Sequence, residues 1–117
     1  MKELKEHTNW VNSLAMIDNK YLASASYDNT VRIFNIQDGS HRILKGHTDS
    51  VFDLAIYSPD VLVSVSWDKT ARFWSIKDGE NIQTLKLPHW GYTVAVLDDG
   101  SIATGGADCK VTIWTIA

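Results

Sequence analysis

Three sets of residues in this 117-residue chain could be read as reaction machinery. His47, Ser64 and Asp68 form the most complete set, His7, Ser24 and Asp28 a second, and Thr104 with Asp108 a reduced third. A hydroxyl, an imidazole and a carboxylate are the parts of a nucleophile–base–orienter relay. The spacing argues against that chemistry. Asp28, Asp68 and Asp108 stand 40 residues apart, as do Leu22, Leu62 and Ile102, and the sets recur in degenerate form at the same step. Structural units repeat in this way and active sites rarely do. No nucleophile-elbow glycine pattern accompanies any of the serines. His7, His41, His47 and His89 with the single cysteine, Cys109, have no recognised metal-ligand spacing. Gly105-Gly106 is followed by no Lys-Ser/Thr and so is no phosphate cradle. The chain reads as a non-enzyme with no cofactor and no metal.

The repeat itself is the stronger signal. Setting residues 4–43 against 44–83 without a gap gives 16 identities in 40 positions. A period of that length means supersecondary units, none of which can bury its apolar surface alone. Composition is compatible with a packed core, at 44% hydrophobic residues. A net charge of −3, with Lys and Arg scattered, argues against nucleic acid as a partner, because phosphate binding needs a basic footprint. No apolar run approaches the ~20 residues that span a bilayer, so a membrane is not expected either. One cysteine rules out an internal disulfide framework and fits a reducing compartment, and the first six residues contain no apolar signal core. The expected location is cytoplasmic or nuclear.

Each unit reads as short strands between turns. In the second, Val51–Tyr57, Val61–Ser66, Thr70–Ile76 and the more polar Asn81–Lys86 are strands, separated by Ser58-Pro59-Asp60, Trp67-Asp68-Lys69 and Asp78-Gly79. In Ala71-Arg72-Phe73-Trp74-Ser75-Ile76, Phe73 points one way while Trp74 and Ile76 point the other. A sheet with one wet face would alternate apolar and polar residues. Two apolar faces per small sheet mean sheets stacked on sheets, and a radial stack with the polar fourth strand outermost is a β-propeller. The expected fold is all-β, a single array of three antiparallel four-stranded blades over residues 1–117. Its units are 4–43, 44–83 and 84–117, with an N-terminal outer strand at 2–6.

Leu44-Lys45-Gly46-His47, Leu62-Val63-Ser64-Val65-Ser66-Trp67-Asp68 and Ala71-Arg72-Phe73-Trp74 together resemble a WD-repeat unit, and the resemblance extends over residues 4–117. It implies that His47, Ser64, Asp68 and Trp74 form a buried hydrogen-bond network inside one blade. The chemistry is sound: His bridges the carboxylate and the hydroxyl, and the hydroxyl accepts from the indole N–H. The flanking units depart from it. Unit one has Phe34 for Trp and Glu6 for Gly, and unit three has Leu87 where His would fall because its loop is one residue shorter. His89 is not the equivalent residue.

The resemblance also places function on one rim, at the loops leading into the innermost strands and at the turn before each Asp. In this chain those positions are Trp10, Ser50 and Trp90, then Asn12, Phe52 and Tyr92, then Tyr27, Trp67 and Ala107. Six of the nine are aromatic, and aromatic residues are what protein-interface hot spots are made of. The expected function is a protein–protein interaction scaffold or adaptor. Ser66-Trp67-Asp68-Lys69-Thr70-Ala71 is similar to blades of ubiquitin-binding propellers of the phospholipase-A2-activating-protein family. A propeller that recognises ubiquitin or a modified peptide is therefore the first alternative, and a structural fragment without independent function the second. Three blades are too few to close a ring, since propellers have 4–8. Either the chain is part of a longer propeller, or copies of it join, with two chains making six blades.

Overall fold

The computed structural model describes residues 1–116 and contains eleven strands and three antiparallel sheets among them. Blade one is β1 (Val11–Met16), β2 (Tyr21–Ser26), β3 (Val31–Asn35) and β4 (His41–Leu44), side by side in chain order. Blade two repeats the plan with β5 (Val51–Ser58), β6 (Val61–Ser66), β7 (Thr70–Ser75) and β8 (Asn81–Lys86). Blade three has β9 (Gly91–Val96), β10 (Ile102–Gly106) and β11 (Val111–Trp114), and so three strands rather than four. Ala117, the last residue of the third unit, lies outside the described residues. Residues 2–6 form no ladder within the chain. A strand needs an edge to pair with, and the open edge that repeats the β3 and β7 position is β11, at the far end of the arc.

The turns carry the repeat as faithfully as the strands. After each conserved-spacing Asp the chain enters the left-handed region, at Asn29 (φ 73°), Lys69 (φ 66°) and Cys109 (φ 65°). Single residues tolerate that conformation in a tight turn, and here the turn closes with the Lys69 N–H donating to the Ser66 carbonyl at 3.2 Å. Asp18 and Asp99, in the β1–β2 and β9–β10 turns, accept backbone N–H bonds from residues two further on, the local chemistry that makes Asp a turn former.

Both faces of blade two are apolar because each meets another blade. Ala23, Ala25, Val31, Ile33 and Leu44 of blade one pack against Val51, Leu54, Leu62 and Trp74 of blade two. The opposite face of blade two, with Val63, Val65, Ala71 and Phe73, packs against Val94 and Ile102 of blade three, joined by Leu87. Adjacent residues Phe73 and Trp74 thus serve different cores. The two outward faces of the arc are open, leaving Leu14 and Met16 of β1 and Val111 and Ile113 of β11 exposed. Strand β8 carries a bulge against Phe73 and Trp74. Its extra residue offsets the shortened loop before β9, which is why the 40-residue step is regained by Tyr92.

Candidate functional site

The blade-two network is a continuous relay. The neutral His47 ring donates from Nδ1 to Asp68 Oδ2 at 2.8 Å and accepts at Nε2 from the Ser64 hydroxyl at 2.7 Å. The same hydroxyl accepts from Trp74 Nε1–H at 2.8 Å. Burial holds the His47 pKa below its ordinary value, against the pull of Asp68, so the uncharged ring is the native form. Burial acts to raise the Asp68 carboxyl. Bonds from His47 and Thr70 and the Thr48 amide outweigh it and keep the group well below the usual carboxylate range. The relay joins the loop before β5, strand β6, the β6–β7 turn and strand β7. Ser64 has no open space in front of it for a substrate, being fully buried.

Blade one keeps most of this. His7 meets Asp28 at 2.8 Å and Ser24 at 2.5 Å, but Phe34 offers Ser24 no donor. Burial again works to raise the Asp28 carboxyl, and the bonds from Thr30 and His7 and the amides of Thr8 and Thr30 bring it down to about 2. Blade three keeps the other half: Trp114 Nε1–H donates to Thr104 Oγ1 at 2.9 Å. His89 does not enter that network, its Nδ1 accepting from the Trp90 amide. Thr30 and Thr70 were not singled out in the sequence, although they too stand 40 apart. Each donates its hydroxyl to the neighbouring Asp, at 2.5 and 2.6 Å. Among the described residues no group of three or more His, Cys, Asp or Glu is placed to hold a metal ion.

The rim residues come together in one cluster across all three blades. Trp10 meets Tyr27 edge-on (ring centroids 5.6 Å apart), and Tyr27 meets Phe52 (5.2 Å) and Trp67 (6.0 Å). Trp67 lies against Phe52 (4.6 Å), Trp90 (5.3 Å) and Tyr92 (6.0 Å), and Phe52 also against Tyr92 (5.2 Å). Trp10 (75% exposed), Trp90 (42%) and Tyr92 (38%) face solvent, while Tyr27, Phe52 and Trp67 are half-buried beneath them. The Trp67 indole N–H is buried without a hydrogen-bond partner. Two rim positions are structural in their contacts. Ser50 is buried, and Asn12 donates its side-chain amide to the Val51 carbonyl. Sequence reasoning missed Asp53, which faces the same inner edge. Its carboxylate accepts from Ser13 Oγ at 2.8 Å, from Thr93 Oγ1 at 3.0 Å and from the Val94 amide at 3.0 Å, so one side chain ties the innermost strands of all three blades. Positions 13, 53 and 93 are equivalent but hold three different residues, which hid the link.

A sequence profile described as "WD domain, G-beta repeat" matches residues 1–35 and 39–75. Among solved structures the chain is similar to the WD40 beta propeller domain of Doa1, with a TM-score of 0.91 and 27% identity. That similarity covers 97% of this chain and 39% of the other, so the chain spans about two-fifths of its relative's length. No curated protein sequence matches it.

Proposed function

The chain belongs to the WD40 repeat family, and on that premise we propose that it is an interaction scaffold whose aromatic rim grips a protein partner. WD40 propeller domains are typically non-catalytic modules that bind proteins, and the buried serines of the relays leave no room for a reacting substrate. The observation that carries the proposal is the aromatic cluster: three solvent-facing rings supported from below by three half-buried ones. Rings held by other rings lose little conformational entropy on binding and offer large apolar area, the properties of hot-spot residues. The test is affinity capture with the wild-type chain and with Trp10→Ala/Tyr92→Ala, both checked for an unchanged melt. Loss of the captured partner in the variant supports the rim. An identical captured set from the two proteins overturns it.

A second reading of the same surface is recognition of ubiquitin or another modified peptide. It is favoured by the likeness of Ser66–Ala71 to ubiquitin-binding blades. A phosphopeptide is disfavoured, because no Lys or Arg stands at the rim positions. Titration with free ubiquitin, read at the rim indoles, separates this from the first reading.

We also propose that the arc is completed by further blades, supplied by a second copy of the chain or by a longer polypeptide. The support is how the N-terminal segment lies on blade one. Lys2 Nζ donates to the carbonyls of Ile36 and Gln37 (2.8 Å to the latter), as Arg42 Nη1 of β4 donates to the carbonyls of Ile76 and Lys77. Lys2 and Arg42 are 40 apart. The segment therefore occupies, relative to blade one, the place that β4 occupies relative to blade two. By the register of β3 with β4, Val111 of a completing chain would face Leu4.

A further inference from the structure

We infer a second binding site, for a small organic anion with an apolar body, in a cleft between blades one and two at the end of the blades opposite the aromatic rim. The cleft has a volume of about 440 Å³ and is lined by Tyr21, Ile33, Asn35, Ser40, His41 and Arg42 of blade one and Ile76 and Lys77 of blade two. That volume falls within the range of sites that enclose a small ligand. Its charged lining is basic, at Arg42 and Lys77, in a protein whose net charge is −3. His41 adds a ring whose Nε2 accepts from Arg32 Nη1 at 3.0 Å, with the Glu6 carboxylate 3.8 Å away. The carboxylates of the flanking turns, Asp38 and Asp78, do not line it, and Asp38 is occupied by the Ser40 hydroxyl and amide at 2.6 and 2.8 Å. Ile33 and Ile76 supply an apolar floor and Tyr21 an aromatic side.

The cleft is not a by-product of the repeat. At the next junction the positions equivalent to Ile17 and Ile33 are Tyr57 and Phe73, whose rings pack edge to face at 5.1 Å. Ser40 and His41 correspond to Glu80 and Asn81, and by strand register, past the β8 bulge, Arg42 corresponds to Gln83. Ile33 and Arg42 thus occur together at one junction where the other has Phe73 and Gln83, while Ile76 keeps an isoleucine, Ile116, as its equivalent. Packing alone would not couple the two changes. Binding a ligand with one anionic group and a flat apolar body uses both. Arg42 serves two purposes here: Nη1 carries both bonds to the blade-two carbonyls, which fixes the guanidinium at the cleft wall as a positioned positive charge.

The experiment is a titration of the 117-residue chain with 1-naphthyl phosphate, 1-naphthoate and neutral 1-naphthalenemethanol, followed residue by residue through backbone amide chemical shifts. The expected result is saturable binding of the two anions, with shifts centred on Tyr21, Ser40, His41 and Lys77, and at least roughly tenfold weaker binding of the neutral probe. Which anion binds tighter distinguishes a phosphate from a carboxylate ligand. Lys77→Glu, at an exposed position, should lower anion affinity by about tenfold at unchanged fold. Ile33→Phe, which copies the filled junction, should abolish binding of all three. Absence of saturable shifts at the cleft, equal affinity for the neutral probe, or a Lys77→Glu protein that binds as the parent does would each overturn the site. None of these outcomes bears on the rim, which lies at the other end of the blades.

Discussion

Gly46 and Trp74 are shaped to each other: a Cβ on Gly46 would stand 3.0 Å from Trp74 Cη2 and 3.0 Å from Arg72 Nη1. Real Cβ contacts are rarely that close, so the indole and a side chain at position 46 compete for one space. Blade one shows the alternative solution, with the smaller Phe34 and with Glu6 in place of the glycine. Gly46→Ala is expected to cost about 1–2 kcal/mol by overpacking. Trp74→Phe should relieve most of that added cost, so the double variant is less destabilised than the sum of the singles. Denaturant melts of the four proteins check the coupling, and strict additivity would show that the two sites do not compete.

The relay predicts a second non-additive set. His47→Ala and Asp68→Ala should each cost ~1–3 kcal/mol, because each strands a buried partner. Together they should cost clearly less than their sum. The corresponding pair in blade one, His7→Ala and Asp28→Ala, should show the same pattern. Equilibrium unfolding measures both sets, and no loss of stability in the single variants would remove the relay from the account.

Acid should weaken the protein in two stages. The folded His47 pKa lies below its ordinary value, so the unfolded chain takes up that proton first and stability falls as pH drops below about 6.5. Asp28 and Asp68 are depressed in the folded state, with Asp28 at about 2. Their contribution is complete above the ordinary carboxylate range and is lost as pH falls through about 4 towards 2. Urea midpoints between pH 8 and pH 3 follow both stages. His47→Gln should flatten the upper stage and leave the lower one, and a midpoint independent of pH from 7 to 3 would contradict both assignments.

Rim substitutions should separate by depth. Trp10→Ala should change stability by less than about 0.5 kcal/mol, as surface substitutions do, while reducing partner binding. Trp67→Ala should cost about 2–4 kcal/mol, because Trp67 lies against Tyr27, Phe52, Trp90 and Tyr92 at once. Thermal melts set beside binding assays test the split; a destabilising Trp10→Ala would make that residue part of the packing.

For the 117-residue chain, closure by a second copy predicts a head-to-tail dimer in sedimentation equilibrium. Removing residues 1–6 should weaken association and stability together, since Lys2 anchors the segment against blade one. A folded monomer at micromolar concentration, indifferent to that deletion, would leave only the longer-polypeptide form of the proposal.

The 40-residue step made the three units, most strand limits and the His–Ser–Asp–Trp sets legible in the sequence, and the reason is local. Those residues satisfy the backbone and one another inside a single blade, so each blade needs them again and the repeat advertises them. Thr30 and Thr70 obeyed the same rule and could have been found by it. What the sequence did not disclose lies between blades. Asp53 bonds to residues 40 positions before and after it that differ from it in type. Lys2 reaches a turn 34 residues away, and the cleft lies where Ile17 and Ile33 stand in place of the Tyr57 and Phe73 rings that pack together at the next junction. Such contacts depend on how far and at what angle one sheet stacks on the next. Side-chain alternation within a strand says which face a residue occupies, but only the stacked blades decide what it finds there.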